Sequence, residues 1–242
     1  MEKEILGKAT ILLSMLFTYT TVAMADPVVV IPLTNSTKVT NLESRLEVIE
    51  RGWDTVTSAG GRVWMDRNLG ALRVANGPWD EYGYGDLYQW GRLKDGHESR
   101  NSGTTTTLSV SDVPENGFYI TTSSSPDDWR AGQNHNLWQG GANDNNPCPN
   151  GFRVPTITEF ENEVSSWSSN NAFGAFSSPL KLPVAGARDS DGSVVNDGVS
   201  GFYWSSTTSV TNARYLFNQT SNTMTSLTID RSTGMSIRCI QD

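Results

Sequence analysis

Two cysteines, two histidines and a few acidic clusters are the residues of this 242-residue chain whose types could carry chemistry. Cys148 sits in a Pro-Cys-Pro-Asn-Gly turn, and Cys239 lies close to the last residue. With His97 and His135 they would supply four metal ligands, but none of these residues has the close spacing of a structural zinc site. Hydrolysis by a Ser-His-Asp set needs a histidine held between a nucleophile and a carboxylate. His97 and His135 fall in polar, loop-like stretches with no nucleophile signature around them. The DSDG run at 189–192 matches the opening of a calcium loop but lacks the remaining ligands and the distal glutamate, so it reads as a turn. Glu159, Glu161 and Glu163 cluster where a helix would begin, a place that favours negative charge, and they read as a solvated helix start. These residues point to no catalytic group, no metal and no cofactor.

The cysteines read differently once the N-terminus is considered. Lys3 and Lys8 precede a largely apolar run over 9–22, and Ala23-Met24-Ala25 is an A-x-A site. That run is about 14 residues, short of the ~20 that span a bilayer. The pattern predicts a signal peptide over 1–25, cleaved after Ala25, and hence a secreted, periplasmic or cell-surface protein without a transmembrane anchor. In an oxidising compartment, two cysteines most simply form one disulfide, Cys148 to Cys239. The formal charge of −8, with no basic run, argues against nucleic acid as a partner.

The elements that position these residues follow from periodicity. Residues 26–38 form an extended lead-in, with Pro27 and Pro32 opposing a helix. Val39, Leu42, Leu46, Ile49 and Trp53 then recur at spacings of 3 and 4 behind a Thr40–Glu43 capping box. This predicts over 39–53 either a short amphipathic helix docked on its own domain or a small coiled coil that makes a homo-oligomer. From residue 55 to 242 the chain reads as one domain. Residues 62–66 form a strand, and 156–167 form the clearest helix, with Ile157, Phe160, Val164 and Trp167 on one face. Residues 201–207, 213–218, 224–229 and 235–240 alternate as strands.

Several stretches carry a family resemblance. CPNGFRVPTITEFE (148–161), WMDRNLGA (64–71), YGDLYQWGR (84–92), DDWR (127–130), SPLKLPVAGAR (178–188), GFYWSST (201–207) and GMSIRCI (234–240) resemble the landmarks of the Fibrobacter succinogenes major paralogous domain family. That family is similar to the formylglycine-generating-enzyme branch of the C-type lectin fold. The resemblance implies an α+β, loop-rich domain of short antiparallel strands with one disulfide. It does not carry over the enzyme, whose paired C-terminal cysteines are here reduced to Cys239 alone. The Glu-Pro-Asn and Trp-Asn-Asp sugar motifs of C-type lectins are absent too.

The implied function is ligand recognition without catalysis. The last quarter also resembles the variable proteins of diversity-generating retroelements. Trp204, Ala213, Leu216, Arg231, Gly234, Arg238 and Cys239 look fixed there. Between them lie Phe202, Tyr203, Thr208, Tyr215, Phe217, Ser226, Thr228, Asp230 and Met235, the expected ligand-binding residues. Their mix of aromatics with small polar residues suits a recognition surface for a protein or carbohydrate on a cell surface. A diversified receptor or adhesin and a fixed-specificity, lectin-like module both fit this reading. An enzyme of the formylglycine-generating type fits it less well.

Overall fold

The computed structural model describes residues 10–13, 19–23, 28–32, 53–123, 127–140 and 145–242. Two units result, 1–52 and 53–242. In the first, β1 (Thr10–Leu13), β2 (Tyr19–Ala23) and β3 (Val28–Pro32) pair antiparallel in the order β1-β2-β3. β1 and β2 lie within the expected signal segment and β3 within the lead-in. The heptad segment lies outside the described residues except for its last apolar position, Trp53. That ring sits edge-on to Phe152 at 5.1 Å, within the second unit.

The second unit is built on the alternation of its last quarter. β12 (Ser200–Ser209) and β13 (Asn212–Gln219) form a long antiparallel ladder in which Phe202 faces Phe217, Tyr203 faces Leu216 and Trp204 faces Tyr215. Successive side chains point to opposite faces, so Phe202, Trp204, Tyr215 and Phe217 share one face and Tyr203 and Leu216 the other. β14 (Thr223–Met224) and β15 (Thr228–Ile229) both add to β13. On the far side of β12 lie β10 (Ala185–Arg188), β16 (Gly234–Met235) and β6 (Tyr88–Gln89), with β11 (Val194–Asp197) also on β10. The expected strands over 224–229 and 235–240 are each broken in two. The second breaks because β16 joins this sheet, whereas β17 (Ile240–Gln241) joins another.

That other sheet runs β4 (Thr55–Thr57), β5 (Val63–Met65), β17, β9 (Phe152–Arg153). A parallel pair, β7 (Thr104–Thr105) with β8 (Tyr119–Ile120), stands apart, and β10 meets β12 in parallel as well, so the pairing is not wholly antiparallel. Cys148 and Cys239 are bridged, with Cα atoms 5.9 Å apart, and this ties the turn before β9 to the strand beside it.

Two helices cover the Tyr203 face. α1 (Ile157–Ser165) starts where its sequence predicts: Thr156 Oγ1 accepts from the Glu159 amide, and the Glu159 carboxylate accepts from the Thr156 amide. Phe160 packs beneath it with Trp64, Leu180, Leu182, Tyr203, Leu216 and Ile240. α2 (Ala172–Ser177) is capped by Asn171, whose side chain accepts from the Phe173 and Gly174 amides. Glu163 is not solvated as expected. It lies on the inner face of α1, buried, and accepts from Trp167 Nε1 at 3.2 Å. The unit is β-rich and loop-rich, with two α-helices and one disulfide among the described residues. None of its described helices is long and apolar enough to cross a membrane.

Candidate functional site

The side chains that look fixed in the sequence hold loops together. Arg238, fully buried, donates to Asn68 Oδ1 and to the carbonyls of Met65 and Leu180. Arg188 donates to Ser102 and to the Ser99 and Gly192 carbonyls, and Arg92 to Gln89, Asp95 and the Phe118 carbonyl. The tryptophan indoles do the same work. Trp90 Nε1 donates to the Ser205 carbonyl, Trp129 Nε1 to that of Trp90, and Trp204 Nε1 to that of Tyr88. A buried carbonyl without a donor costs about 1–3 kcal/mol, so each tie stabilises a loop that has no ladder of its own. These groups are committed to the scaffold.

The Ser205-Ser206-Thr207 stretch forms the bulge of β12, where the register shifts between Trp204 and Thr208. The bulge frees backbone and hydroxyl groups for loops. The Ser206 amide donates to the Pro155 carbonyl, and Thr207 Oγ1 accepts from the Ile157 amide at the start of α1. The helix and the C-terminal ladder are thereby fixed to one another.

The other face of the ladder is where apolar groups reach the surface. Trp204 is buried there, but toward the Ser200 end Phe202 and Phe217 are only half-buried, with ring centroids 5.1 Å apart. Met224 lies opposite Phe217 on β14 and is half-buried too, so Phe202, Phe217 and Met224 form a stripe across three strands. Tyr215 stacks on Phe202 at 6.1 Å. Ser226 and Thr228 are exposed in the adjoining segment. Thr208 and Asp230 are half-buried near the other end of the ladder.

The nine expected binding residues therefore separate. Phe202 and Phe217 meet in the stripe and exposed Ser226 follows Met224 beside it, whereas Thr228 pairs with Arg214 and so shares the Leu216 face, and Thr208 and Asp230 lie toward the far end of the ladder. Tyr203 and Met235 are fully buried and cannot touch a ligand. Tyr203 points to the helix-covered face, where its hydroxyl donates to the Pro183 carbonyl at 2.6 Å. Met235 is enclosed because β16 runs between β10 and β6 inside the sheet. Tyr215, at 7 % exposure, belongs to the core and offers at most its edge. Met224 was absent from the expected set. Only its pairing with Phe217 reveals it.

His97 and the DSDG run, the other groups singled out in the sequence, are engaged in hydrogen bonds among the described residues. His97 is buried, not in an open polar loop. Its Nε2 accepts from the Gln89 amide at 3.1 Å, so its proton is on Nδ1, which donates to Asp95 at 2.6 Å. Burial holds its pKa below the usual histidine value. Asp95, His97 and Glu98 are close enough to hold a cation, but both imidazole nitrogens are spent on hydrogen bonds. Asp191 in the DSDG run accepts from the Ser193 amide and hydroxyl, the bonding of a turn. Comparisons with protein-family models, with curated proteins and with solved structures return no match for this chain.

Proposed function

We propose that this chain is an exported, non-catalytic recognition protein with a C-type lectin-like fold of the formylglycine-generating-enzyme branch. It presents the Phe202–Phe217–Met224 end of the β12–β14 sheet to a protein or carbohydrate on a cell surface. The observation that carries this reading is the stripe of Phe202, Phe217 and Met224, half-buried and bordered by exposed Ser226. Rigid aromatic area beside small hydrogen-bonding side chains is the composition of a recognition surface. The surface positions alternate with Trp204, Ala213, Leu216, Arg231 and Arg238, all buried. That division between a committed scaffold and an uncommitted surface favours a retroelement-diversified receptor or adhesin over a module of fixed specificity. The acidic charge fits a partner other than nucleic acid.

Binding of the full chain to glycan arrays and to panels of bacterial cells tests the surface. Ser226→Arg is expected to abolish the binding seen, while changing stability by no more than about 0.5 kcal/mol, as exposed substitutions do. Binding unchanged by Ser226→Arg would place the ligand elsewhere. Neighbouring DNA tests the diversified form. It should carry a reverse transcriptase gene and an adenine-rich near-copy of the 3′ end, and their absence refutes that form alone.

A further inference from the structure

A cleft of about 940 Å³ opens among loops to which β12, β13, β14 and β15 contribute no residue. Its walls come from the segments after β7 and β8, from the 128–135 loop and from the turn between β10 and β11. Its size falls within the roughly 300–1,000 Å³ of small-molecule sites. We infer that this cleft binds a neutral, polyhydroxylated ligand of mono- or disaccharide size, independently of the stripe on β12–β14.

Charge decides the class. Arg130 is the one arginine or lysine among the lining residues, and its charge is paired: Nε lies 2.6 Å from Asp112 Oδ1, and Nη1 donates to the Ala131 carbonyl at 3.0 Å. Asp128 is buried and accepts from the Arg130 amide at 3.0 Å and from Gln133 Nε2 at 3.1 Å. Asp128 is already paired by Arg231 at 3.9 Å, so an anionic ligand would meet the carboxylate of Asp191 with no unpaired cation among the lining residues to offset it.

The uncommitted groups decide the rest. Among the described residues, the hydroxyls of Thr106 and Ser123 make no hydrogen bond, and Asp191 uses only Oδ1. His135 Nδ1 is 2.7 Å from Arg231 Nη2. A guanidinium only donates, so Nδ1 accepts and Nε2 carries a proton that has no protein partner. Two hydroxyls, one N–H donor, one carboxylate oxygen and the Gln133 amide oxygen thus remain among the described residues, beside Nη2 of the paired Arg130, with Leu108 and Ala131 as apolar wall. Sugar hydroxyls each donate and accept, and their C–H faces need such a wall.

Saturation-transfer NMR and calorimetric titration of the full chain test this. The probes are lactose and methyl α-mannopyranoside, with glucuronic acid as the anionic control. At least one neutral sugar should bind saturably. The double variant His135→Ala, Thr106→Val should weaken it about tenfold, and both positions are exposed, so the fold should persist. Ser226→Arg should leave it unchanged, which separates the cleft from the stripe. The inference is overturned by no saturable binding of either neutral sugar up to roughly 10 mM. Tighter binding of glucuronic acid, undiminished binding by the double variant, or loss of binding in Ser226→Arg would each overturn it as well.

Discussion

Glu159 joins three roles in one carboxylate. It accepts from the Thr156 amide at 2.8 Å, from Thr156 Oγ1 at 3.0 Å, and from both terminal nitrogens of Arg153 at 2.7 and 2.8 Å. Burial raises its pKa, but the Arg153 and Thr156 hydrogen bonds outweigh burial and bring it down to about 2. A carboxylate depressed on folding stabilises above its unfolded pKa, and that stability is lost as pH falls through the folded value. The window here runs from about pH 4.5 down to about pH 2. Glutamine at this position keeps the capping box but loses the charge. Glu159→Gln should therefore cost on the order of 1 kcal/mol at neutral pH and flatten the acid limb of stability in that window. An unchanged acid limb in urea titrations at several pH values would show that the Arg153 pair contributes nothing. At the same scale, Arg238 is buried with no carboxylate within salt-bridge reach among the described residues, and burial lowers its pKa to about 10. Its donors go to carbonyl oxygens of separate segments, so a residue that looks fixed in the sequence is a tie between three chain segments.

At the scale of elements, the disulfide and the β12 bulge set where the recognition ladder sits. The bridge closes a separation of 91 residues, worth about 4–5 kcal/mol in the chain-entropy treatment. Changing both Cys148 and Cys239 to alanine should lower unfolding free energy by about 2–5 kcal/mol in urea denaturation. A loss under about 1 kcal/mol would mean that β9 and β17 hold that corner without it. The elements also show what sequence can and cannot carry. α1 is readable because Thr156, Glu159 and the Ile157–Phe160 spacing all point to one helix start. The β12–β13 ladder is readable from alternation. Alternation gives two faces, however, and does not say which one the helices cover, so Tyr203 is grouped with Phe202 although α1 and α2 bury it. Glu163 and His97 are misread for a related reason. Their hydrogen-bond partners are local, Trp167 four residues on and Asp95 two residues back, but only the packing of the whole unit shows that Glu163 and His97 are buried. Met235 shows the same limit at the level of strand order, because nothing local says that β16 is a central strand.

At the scale of the whole unit, polar loops are held by buried arginines and indoles, and only the Phe202–Phe217–Met224 end of one sheet face reaches the surface. Such a division lets surface residues change without loss of the fold, since most of the committed groups lie elsewhere. Phe202 and Phe217 sit at the boundary, packed on the core yet half-exposed. The direct test is a displayed library of the full chain. In one arm Thr208, Phe217, Ser226, Thr228 and Asp230 are randomised together, and in the other Tyr203, Leu216, Arg231 and Met235. Folded display is then scored by resistance to protease. The account predicts that most members of the first arm stay folded and that most of the second are lost, because buried large side chains and their hydrogen bonds cost about 2–5 kcal/mol each to remove. Equal loss of folded display in the two arms would contradict it, for the Phe217 end of the ladder and its flanking positions would then be core as well and not a surface for recognition.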